Sequence, residues 1–259
     1  MATWKRRAVA TLRKMAAPLG VNVISSWRLA RLPQAEYLAR LFAHFDISIV
    51  VDVGANEGQY RDFLRNEVGY SGRILSVEPL PDLAEAMRKR AAGDSSWMIE
   101  NVALGSAPGT AEFKRMRETE FSSFLTRRHD HVAIFDHQNS FVETIMLTVD
   151  TPDNMFSRHE VHGERVYLKM DTQAYDLEVL RGATVGLRSV LALQSEVSVR
   201  PIYDAMPRSD EAIGAIEREG FAMSGMFPNA EGHFPLLVEM DCHFVRTEVA
   251  ARKSTLSIV

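Results

Sequence analysis

Two acidic residues each close a short apolar run, and a pair of glycines follows the first acid. Asp52 precedes Gly54 and Gly58, Asn56 stands between the glycines, and Glu78 closes the next apolar run. Glycine tolerates positive φ and lets the backbone approach a ligand where a Cβ would collide. In a nucleotide-binding strand–helix–strand unit, a carboxylate after the second strand accepts hydrogen bonds from ribose hydroxyls. The spacing therefore predicts a site for a nucleoside-type ligand.

The residue at position 56 indicates which nucleoside fits. A dinucleotide loop has the pattern G-x-G-x-x-G, which brings a pyrophosphate to a helix start, and Asn56 stands where the second glycine belongs. S-adenosylmethionine carries no phosphate, and an acid such as Asp52 suits its amino acid part. The loop therefore favours S-adenosylmethionine as cofactor. Two alternatives stay open, an NAD(P)-dependent Rossmann oxidoreductase and a non-catalytic binding protein with the same fold.

Asp171 and Glu196 each end a predicted strand, so both should emerge where ligands bind to an open parallel sheet. If the group that receives a methyl from such a cofactor is a hydroxyl, its proton must be removed, and a positioned base contributes typically ~10²–10⁴ in rate. We expect these two carboxylates to be catalytic. A divalent cation shared between them is a further option, although no Asp/His spacing marks a metal site. Alternatively, Asp171 caps the next helix and Glu196 pairs with Arg200.

A polar loop after residues 122–123 contains His129, His131 and His137. Such a loop is placed to cover the acceptor as a lid, and a histidine has an unperturbed pKa of about 6.5 that suits a base. His129 is accordingly a third catalytic candidate. The alternative is that these histidines are simply solvated.

Apolar runs of strand length alternate with helical patterns along the chain. Helices are predicted over residues 34–46, 59–68, 81–92 and 175–182, and strands over 47–53, 73–77, 97–103, 166–170 and 190–196. Such alternation indicates a parallel sheet with right-handed crossovers. Two extra strands are predicted over 110–115 and 142–149, and an antiparallel pair over 221–226 and 237–245. The predicted fold class is α/β and Rossmann-like, a mostly parallel sheet with a C-terminal antiparallel hairpin.

Charge is distributed unevenly along the 259 residues. Residues 1–40 carry eight Lys or Arg and one Glu, a net charge of +7, which leaves −11 for the rest of a chain whose total is −4. The overall charge predicts no nucleic-acid partner. The basic segment is predicted to be helical, either packed on the domain as a solvated helix or in peripheral contact with an anionic membrane surface.

The single cysteine, Cys242, cannot form an internal disulfide, which is typical of a reducing compartment. No apolar run reaches the ~18 residues of a membrane helix, and the basic start lacks the features of a signal peptide. We therefore expect a cytoplasmic protein, with the membrane surface as the alternative location. The oligomeric state has no signature in the sequence.

Several blocks of the sequence resemble the FkbM-type methyltransferase family. They are VDVGANEGQY (51–60), ILSVEP (74–79), ENVALG (100–105), LTVDT (147–151), YLKMDTQAYDLEVLRGA (167–183) and LQSEVSVRPIY (193–203). The blocks follow the family's order over about residues 47–246, and the YLKMD block is the most specific. The resemblance implies a class I S-adenosylmethionine-dependent fold, with a basic segment at 1–40, the methyltransferase domain at 41–247 and a tail at 248–259.

The resemblance also implies methyl transfer to a hydroxyl, with sugars and polyketide-derived secondary metabolites among the acceptors. Carried over by position, the methionine part of the cofactor would contact Asp52, Gly54, Asn56 and Gly58, the ribose Glu78 and Pro79, and the adenine Asn101, Val102 and Ala103. Asp171 would face the reacting centre. One departure is Ala174, where the family usually has glycine before Tyr175; an alanine here is expected to narrow the pocket.

Overall fold

A computed structural model describes residue 18 and residues 29–126, 140–229 and 235–253. The strands in these residues are β1 Ile49–Val53, β2 Arg73–Val77, β3 Trp97–Glu100, β4 Ala103–Leu104, β5 Gly109–Met116, β6 Phe141–Asp150, β7 Val166–Met170, β8 Val190–Ser198, β9 Phe221–Pro228 and β10 Glu239–Arg246. The α-helices are α1 Leu32–Phe45, α2 Gln59–Phe63, α3 Pro81–Ala91, α4 Pro152–Arg158, α5 Asp176–Arg181, α6 Ser209–Arg218 and α7 Thr247–Lys253. A π-helical turn, Leu64–Val68, continues α2.

Seven strands form the main sheet in the order β3-β2-β1-β7-β8-β10-β9. The first five are parallel, and β10 runs antiparallel to both β8 and β9. The strand order reverses between β1 and β7, the position where open α/β sheets bind ligands beyond the carboxyl ends of their strands. The predicted parallel sheet with a C-terminal antiparallel hairpin is confirmed.

The central strands β1 and β7 are buried along their whole length. Their β-branched and apolar residues pack into two clusters, one on each face of the sheet. A parallel strand covered on both faces reads as an almost continuous apolar run. Asp52 and Lys169 are the polar exceptions, and they are paired in register across β1 and β7.

A second, three-stranded sheet has the order β4-β6-β5. The prediction of one continuous strand over residues 97–103 is wrong, because the chain changes sheets after β3. Asn101 lies at the break, where its side-chain amide donates to the backbone oxygens of Glu78 at 2.9 Å and Pro79 at 3.0 Å. A side chain that satisfies neighbouring backbone groups ends strand pairing locally. The predicted extra strands correspond to β5 and β6.

Three helices had no counterpart in the sequence analysis, α4, α6 and α7. Helix α4 has a local start signal, since the Thr151 hydroxyl accepts from the backbone nitrogen of Asn154 at 3.2 Å. Helix α6 buries Ala212 and Ile216, and its partly buried Ile213 packs against the same cluster. Helices α4 and α7 have only seven residues each, and elements this brief carry weak periodicity.

Among the residues that the structure describes, no helix is long and apolar enough to cross a membrane. Most of the basic segment 1–40 lies outside the described residues, and so does the loop histidine His129. Helix α1 spans residue 40, and α7 begins at residue 247. The division of the chain at residues 40 and 247 stays a prediction.

Candidate active site

A cavity of about 460 Å³ opens at the carboxyl ends of the parallel strands, where the strand order reverses. Its volume lies within the range of roughly 300–1,000 Å³ that small-molecule sites usually have. The cavity brings together most of the predicted site residues. Those that line it are Gly54, Asn56, Glu78, Pro79, Val102, Ala103, Asp171 and Glu196.

The loop after β1 requires glycine for reasons of space. Gly54 has a φ of +79°, and a Cβ there would lie 1.9 Å from the backbone oxygen of Asp171. Gly58 has a φ of +83°, and its Cβ would lie 2.9 Å from a ring carbon of Trp97. Gly54 therefore lets the loop pass against the end of β7 at the cavity. Gly58 serves packing behind the loop and does not line the cavity.

Glu78 is a buried carboxylate at the end of β2, with 4% of its surface exposed. It accepts hydrogen bonds from the backbone nitrogens of Asn56 at 2.8 Å and Leu80 at 2.9 Å. Burial raises the pKa of Glu78 to about 7, and the two backbone donors counteract part of the rise. Each oxygen keeps a free lone pair for a further donor. The group therefore suits the paired hydroxyls of a ribose.

The cavity beside Glu78 has an apolar wall formed by Val102, Ala103, Leu80 and Phe113. Such a surface suits the flat face of a purine. Asn101 does not line the cavity; its amide instead fixes the backbone that follows β2. The three residues predicted for the adenine edge thus divide into two that face the cavity and one that supports its wall.

Asp52 is wholly buried, and it does not line the cavity. The Nζ of Lys169 lies 3.0 Å from Oδ1 of Asp52 and 3.4 Å from Oδ2 of Asp171, and it donates to the backbone oxygen of Gly54 at 3.1 Å. Burial alone would lower the pKa of Lys169, but the charges of Asp52 and Asp171 outweigh it and raise the pKa. Burial also raises the pKa of Asp52, which Lys169 opposes. Asp52 therefore reaches the cavity only through Lys169.

Asp171 and Glu196 meet at the carboxyl ends of β7 and β8, and the side chain of Gln173 joins them. Its Nε2 donates to Oδ1 of Asp171 at 3.1 Å and to Oε2 of Glu196 at 2.9 Å. The other oxygen of Glu196 accepts from Asn229 at 2.7 Å. Burial, followed by the neighbouring charges of Asp171 and Glu239, raises the pKa of Glu196 well above its ordinary value.

The two structural roles that the sequence allowed, a helix cap for Asp171 and an ion pair with Arg200 for Glu196, are absent from the structure. The first turn of α5 is held by Asp176, which accepts from the backbone nitrogen of Thr172 at 2.9 Å, so Asp171 is not its cap. Glu196 is bound by two amides and makes no ion pair with Arg200. Both carboxylates therefore line the cavity, and neither caps α5 or pairs with Arg200.

Gln173 and Ala174 form a left-handed turn, with φ values of +53° and +72°. The turn is fixed from two sides, since the hydroxyl of Tyr203 donates to Oε1 of Gln173 at 2.7 Å and the hydroxyl of Ser123 donates to its backbone oxygen at 2.8 Å. A left-handed conformation is strained for alanine and free for glycine. The expected effect of Ala174 on the width of the pocket is wrong, because Ala174 does not line the cavity and its consequence is backbone strain.

Residues 119–124 cross the cavity between its two ends. At the loop after β1, the Thr119 hydroxyl donates to Oδ1 of Asn56 at 2.8 Å. At the β7 end, the hydroxyl oxygen of Tyr203, which donates to Gln173, also lies 3.0 Å from the backbone oxygen of Phe121. These contacts and those of Gln173 and Asn229 were missed from the sequence, because no local pattern marks them.

Within the described ranges, no group of three or more His, Cys, Asp or Glu side chains is arranged to hold a metal ion. A cation shared by Asp171 and Glu196 would therefore have no third side chain of these types as a ligand among the described residues. The carboxyl pair is instead joined through the amide of Gln173.

Strand order, the glycine-containing loop after β1 and the buried acid after β2 together define a Rossmann-like fold, and the family match below assigns it to the S-adenosylmethionine-dependent methyltransferases. The sequence model of the methyltransferase FkbM domain family matches residues 52–223, and the chain belongs to this family. The resemblance seen in the sequence is thereby confirmed. A comparison with curated proteins gives no match.

Three solved structures are similar to the chain. Methyltransferase FkbM from Methylobacillus flagellatus KT is 16% identical with a TM-score of 0.47, over 77% of this chain and 44% of that one. Aeropyrum pernix fibrillarin in complex with S-adenosyl-L-methionine is 14% identical with a TM-score of 0.43, over 76% and 66%. A SAM-dependent methyltransferase from Aquifex aeolicus is 12% identical with a TM-score of 0.38, over 86% and 94%. The chain thus spans less than half the length of the first.

Proposed function

We propose that the protein is an S-adenosylmethionine-dependent O-methyltransferase that methylates a hydroxyl of a sugar, glycoconjugate or polyketide-type acceptor. The observation that carries this proposal is the convergence of Asp171 and Glu196 in the same cavity as the loop after β1 and Glu78. The residues that would bind the cofactor and the two acid–base groups then line the same cavity, as methyl transfer to an alcohol requires.

Residues of the cavity fit the three parts of the cofactor. Glu78 would accept the ribose hydroxyls, the apolar wall with Val102 and Ala103 would contact the adenine, and the Gly54–Asn56 loop would receive the methionine part. The observation that supports this fit is that Glu78, Val102, Ala103 and the Gly54–Asn56 loop all line one cavity. When bound, the cofactor supplies an electrophilic methyl group.

Glu196 is the group that we assign to accept the hydroxyl proton. Its raised pKa makes it a stronger base than an ordinary carboxylate. Asp171 lies 3.4 Å from the ammonium group of Lys169, which holds its carboxylate in place. We assign Asp171 to orient the hydroxyl while Glu196 takes the proton. The amide of Gln173 holds the two carboxylates at the required separation.

Two measurements test this function. Isothermal titration should show binding of S-adenosylhomocysteine and none of NADH, whereas the reverse would indicate an oxidoreductase. Labelled methyl transfer should then be screened over glycosylated and polyketide-type acceptors. We expect Asp171→Asn to keep cofactor affinity and to lose turnover. Cofactor binding without transfer to any hydroxylated acceptor would refute the proposal in favour of a non-catalytic protein.

A further inference from the structure

Five side chains form a closed ring of hydrogen bonds behind the cavity. They are Gln34, His243, Tyr167, Gln194 and Asp241. Gln34 donates through Nε2 to Oδ2 of Asp241 at 2.7 Å, and the same nitrogen lies 3.3 Å from Nε2 of His243. Nδ1 of His243 lies 2.8 Å from the Tyr167 hydroxyl, which donates to Oε1 of Gln194 at 3.2 Å. Gln194 returns to Asp241 through a further side-chain hydrogen bond.

The donor and the acceptor in each hydrogen bond of this ring follow from the chemistry of the groups. An amide nitrogen only donates, so Nε2 of His243 must accept from Gln34 and the ring proton of His243 must be on Nδ1. Oε1 of Gln194 accepts from Tyr167 and also from Tyr60 at 2.9 Å, so the amide nitrogen of Gln194 is the donor to Asp241. Burial lowers the pKa of His243 to about 3, which keeps the imidazole neutral.

Asp241 receives two of these donors and is the carboxylate of the ring that lines the cavity. The other members are at least nine-tenths buried, with exposures of 9% for Gln34, 2% for Gln194 and 0% for Tyr167 and His243. A ring whose members lie on α1, β7, β8 and β10 cannot shift at one position without breaking contacts elsewhere. The orientation of Asp241 is therefore fixed before any ligand arrives.

Asp241 is also the direct cross-strand partner of Glu196 in the antiparallel β8–β10 pair. Directly opposed residues project from the same face of a sheet with Cβ atoms about 4.5–5.5 Å apart. Two carboxylates placed in this way can each accept a hydrogen bond from one of two neighbouring hydroxyls on a sugar ring. The ionised carboxylate only accepts, so it requires a donor such as a hydroxyl.

We propose that Asp241 binds the hydroxyl next to the one that is methylated, so that the acceptor is a vicinal diol. The ring of hydrogen bonds that includes Gln34 positions Asp241 for this contact. The inference rests on the proposed function, because the methylated hydroxyl is the one that contacts Glu196. It adds a specificity-determining residue from the C-terminal hairpin and a positioning residue, Gln34, from α1.

The test uses the full chain and the glycoside that shows most transfer in the acceptor screen, compared with its monodeoxy analogue lacking the neighbouring hydroxyl. For the unaltered protein, kcat/KM for the diol should exceed that for the deoxy analogue about tenfold or more, the effect of a hydrogen bond to a charged group. In Asp241→Asn this ratio should fall towards one, with the affinity for S-adenosylhomocysteine unchanged. An unchanged ratio in Asp241→Asn would overturn the proposal.

Gln34→Met tests the positioning role with a side chain of similar length. It should reduce the diol preference and change the ¹⁵N resonance of Nε2 of His243, which loses its donor. The matched control is Glu36→Ala, at an exposed position of the same helix, which should change neither. If Gln34→Met lowers the free energy of unfolding but leaves the diol preference intact, its role is structural and the positioning claim fails.

The same variants separate this inference from the proposed function. If no acceptor is methylated, the proposed function fails, and saturation-transfer NMR with methyl α-D-glucopyranoside and methyl α-D-mannopyranoside on the S-adenosylhomocysteine complex decides the inference. A signal that is present in the unaltered protein and lost in Asp241→Asn would support a diol-binding residue. Equal signals in both proteins, or none in either, would overturn it.

Discussion

The ammonium nitrogen of Lys169 lies 3.0 Å from Oδ1 of Asp52, and both side chains are almost completely buried between β1 and β7. The same nitrogen contacts the backbone oxygen of Gly54 and the carboxylate of Asp171. One buried cation thus connects the loop after β1 with the carboxyl pair of the cavity. Its charge opposes the rise in pKa that burial causes at Asp52.

Lys169→Met should lower the free energy of unfolding by about 3–5 kcal/mol, because it leaves the Asp52 carboxylate buried without a counter-charge. Urea denaturation measures the change. The double variant Asp52→Asn with Lys169→Met should recover part of the loss, since it removes both charges. A decrease below about 1 kcal/mol in the single variant would contradict a buried ion pair that needs both partners.

Glu196→Gln should lower kcat by about 100-fold or more, the typical contribution of a general base, while the affinity for S-adenosylhomocysteine stays unchanged. Only the deprotonated carboxylate accepts a proton, so kcat/KM of the unaltered enzyme should rise with pH as Glu196 ionises. Because the pKa of Glu196 lies well above its ordinary value, this rise should occur at a higher pH than for an ordinary carboxylate. It should be absent in Glu196→Gln.

The control for that profile is Glu217→Gln on the exposed side of α6, which should retain both the rate and the pH dependence. If Glu196→Gln keeps the full rate, another group takes the proton. The acid–base assignment would then have to move to Asp171 or to the loop that contains His129.

Glu78 should make cofactor affinity depend on pH. Its ionised form accepts ribose hydroxyls, and with a pKa of about 7 the ionised fraction falls as the pH drops below that value. The dissociation constant for S-adenosylhomocysteine, measured by titration calorimetry, should therefore increase from pH 8 to pH 6. Glu78→Gln should bind more weakly and without this slope, whereas the exposed Glu85→Gln should retain it. A flat profile in the unaltered protein would contradict the ribose assignment.

Ala174→Gly should raise the free energy of unfolding by about 1 kcal/mol, because Ala174 has a φ of +72° that costs alanine roughly 1–2 kcal/mol and glycine little. Urea denaturation again gives the measurement. The matched control is Ala215→Gly inside α6, where the same change should lower stability by about 0.5–1 kcal/mol. A loss of stability in Ala174→Gly would show that the turn is not strained.

Much of the sheet and the entrance to the site could be predicted from the sequence. β1 and β7 read as strands because both faces are covered, so their apolar runs are continuous. The placement of Asp171 and Glu196 at one edge follows from a general property of parallel strands, whose carboxyl ends meet. Glu78 follows from its position after β2. These predictions depend only on neighbours in the chain and on the rule that parallel strands align.

The contacts that give those residues their roles depend on strand register and on elements far apart in sequence. Asp52 was predicted to contact the cofactor, but the register of β1 against β7 places it opposite Lys169. Gln34 and Asp241 meet across 207 positions, and no local pattern records such a pair. Residue types and spacing determined the fold and the cavity's location. Tertiary packing decided the partners, because a buried polar group must be satisfied by whatever the fold brings within hydrogen-bonding distance.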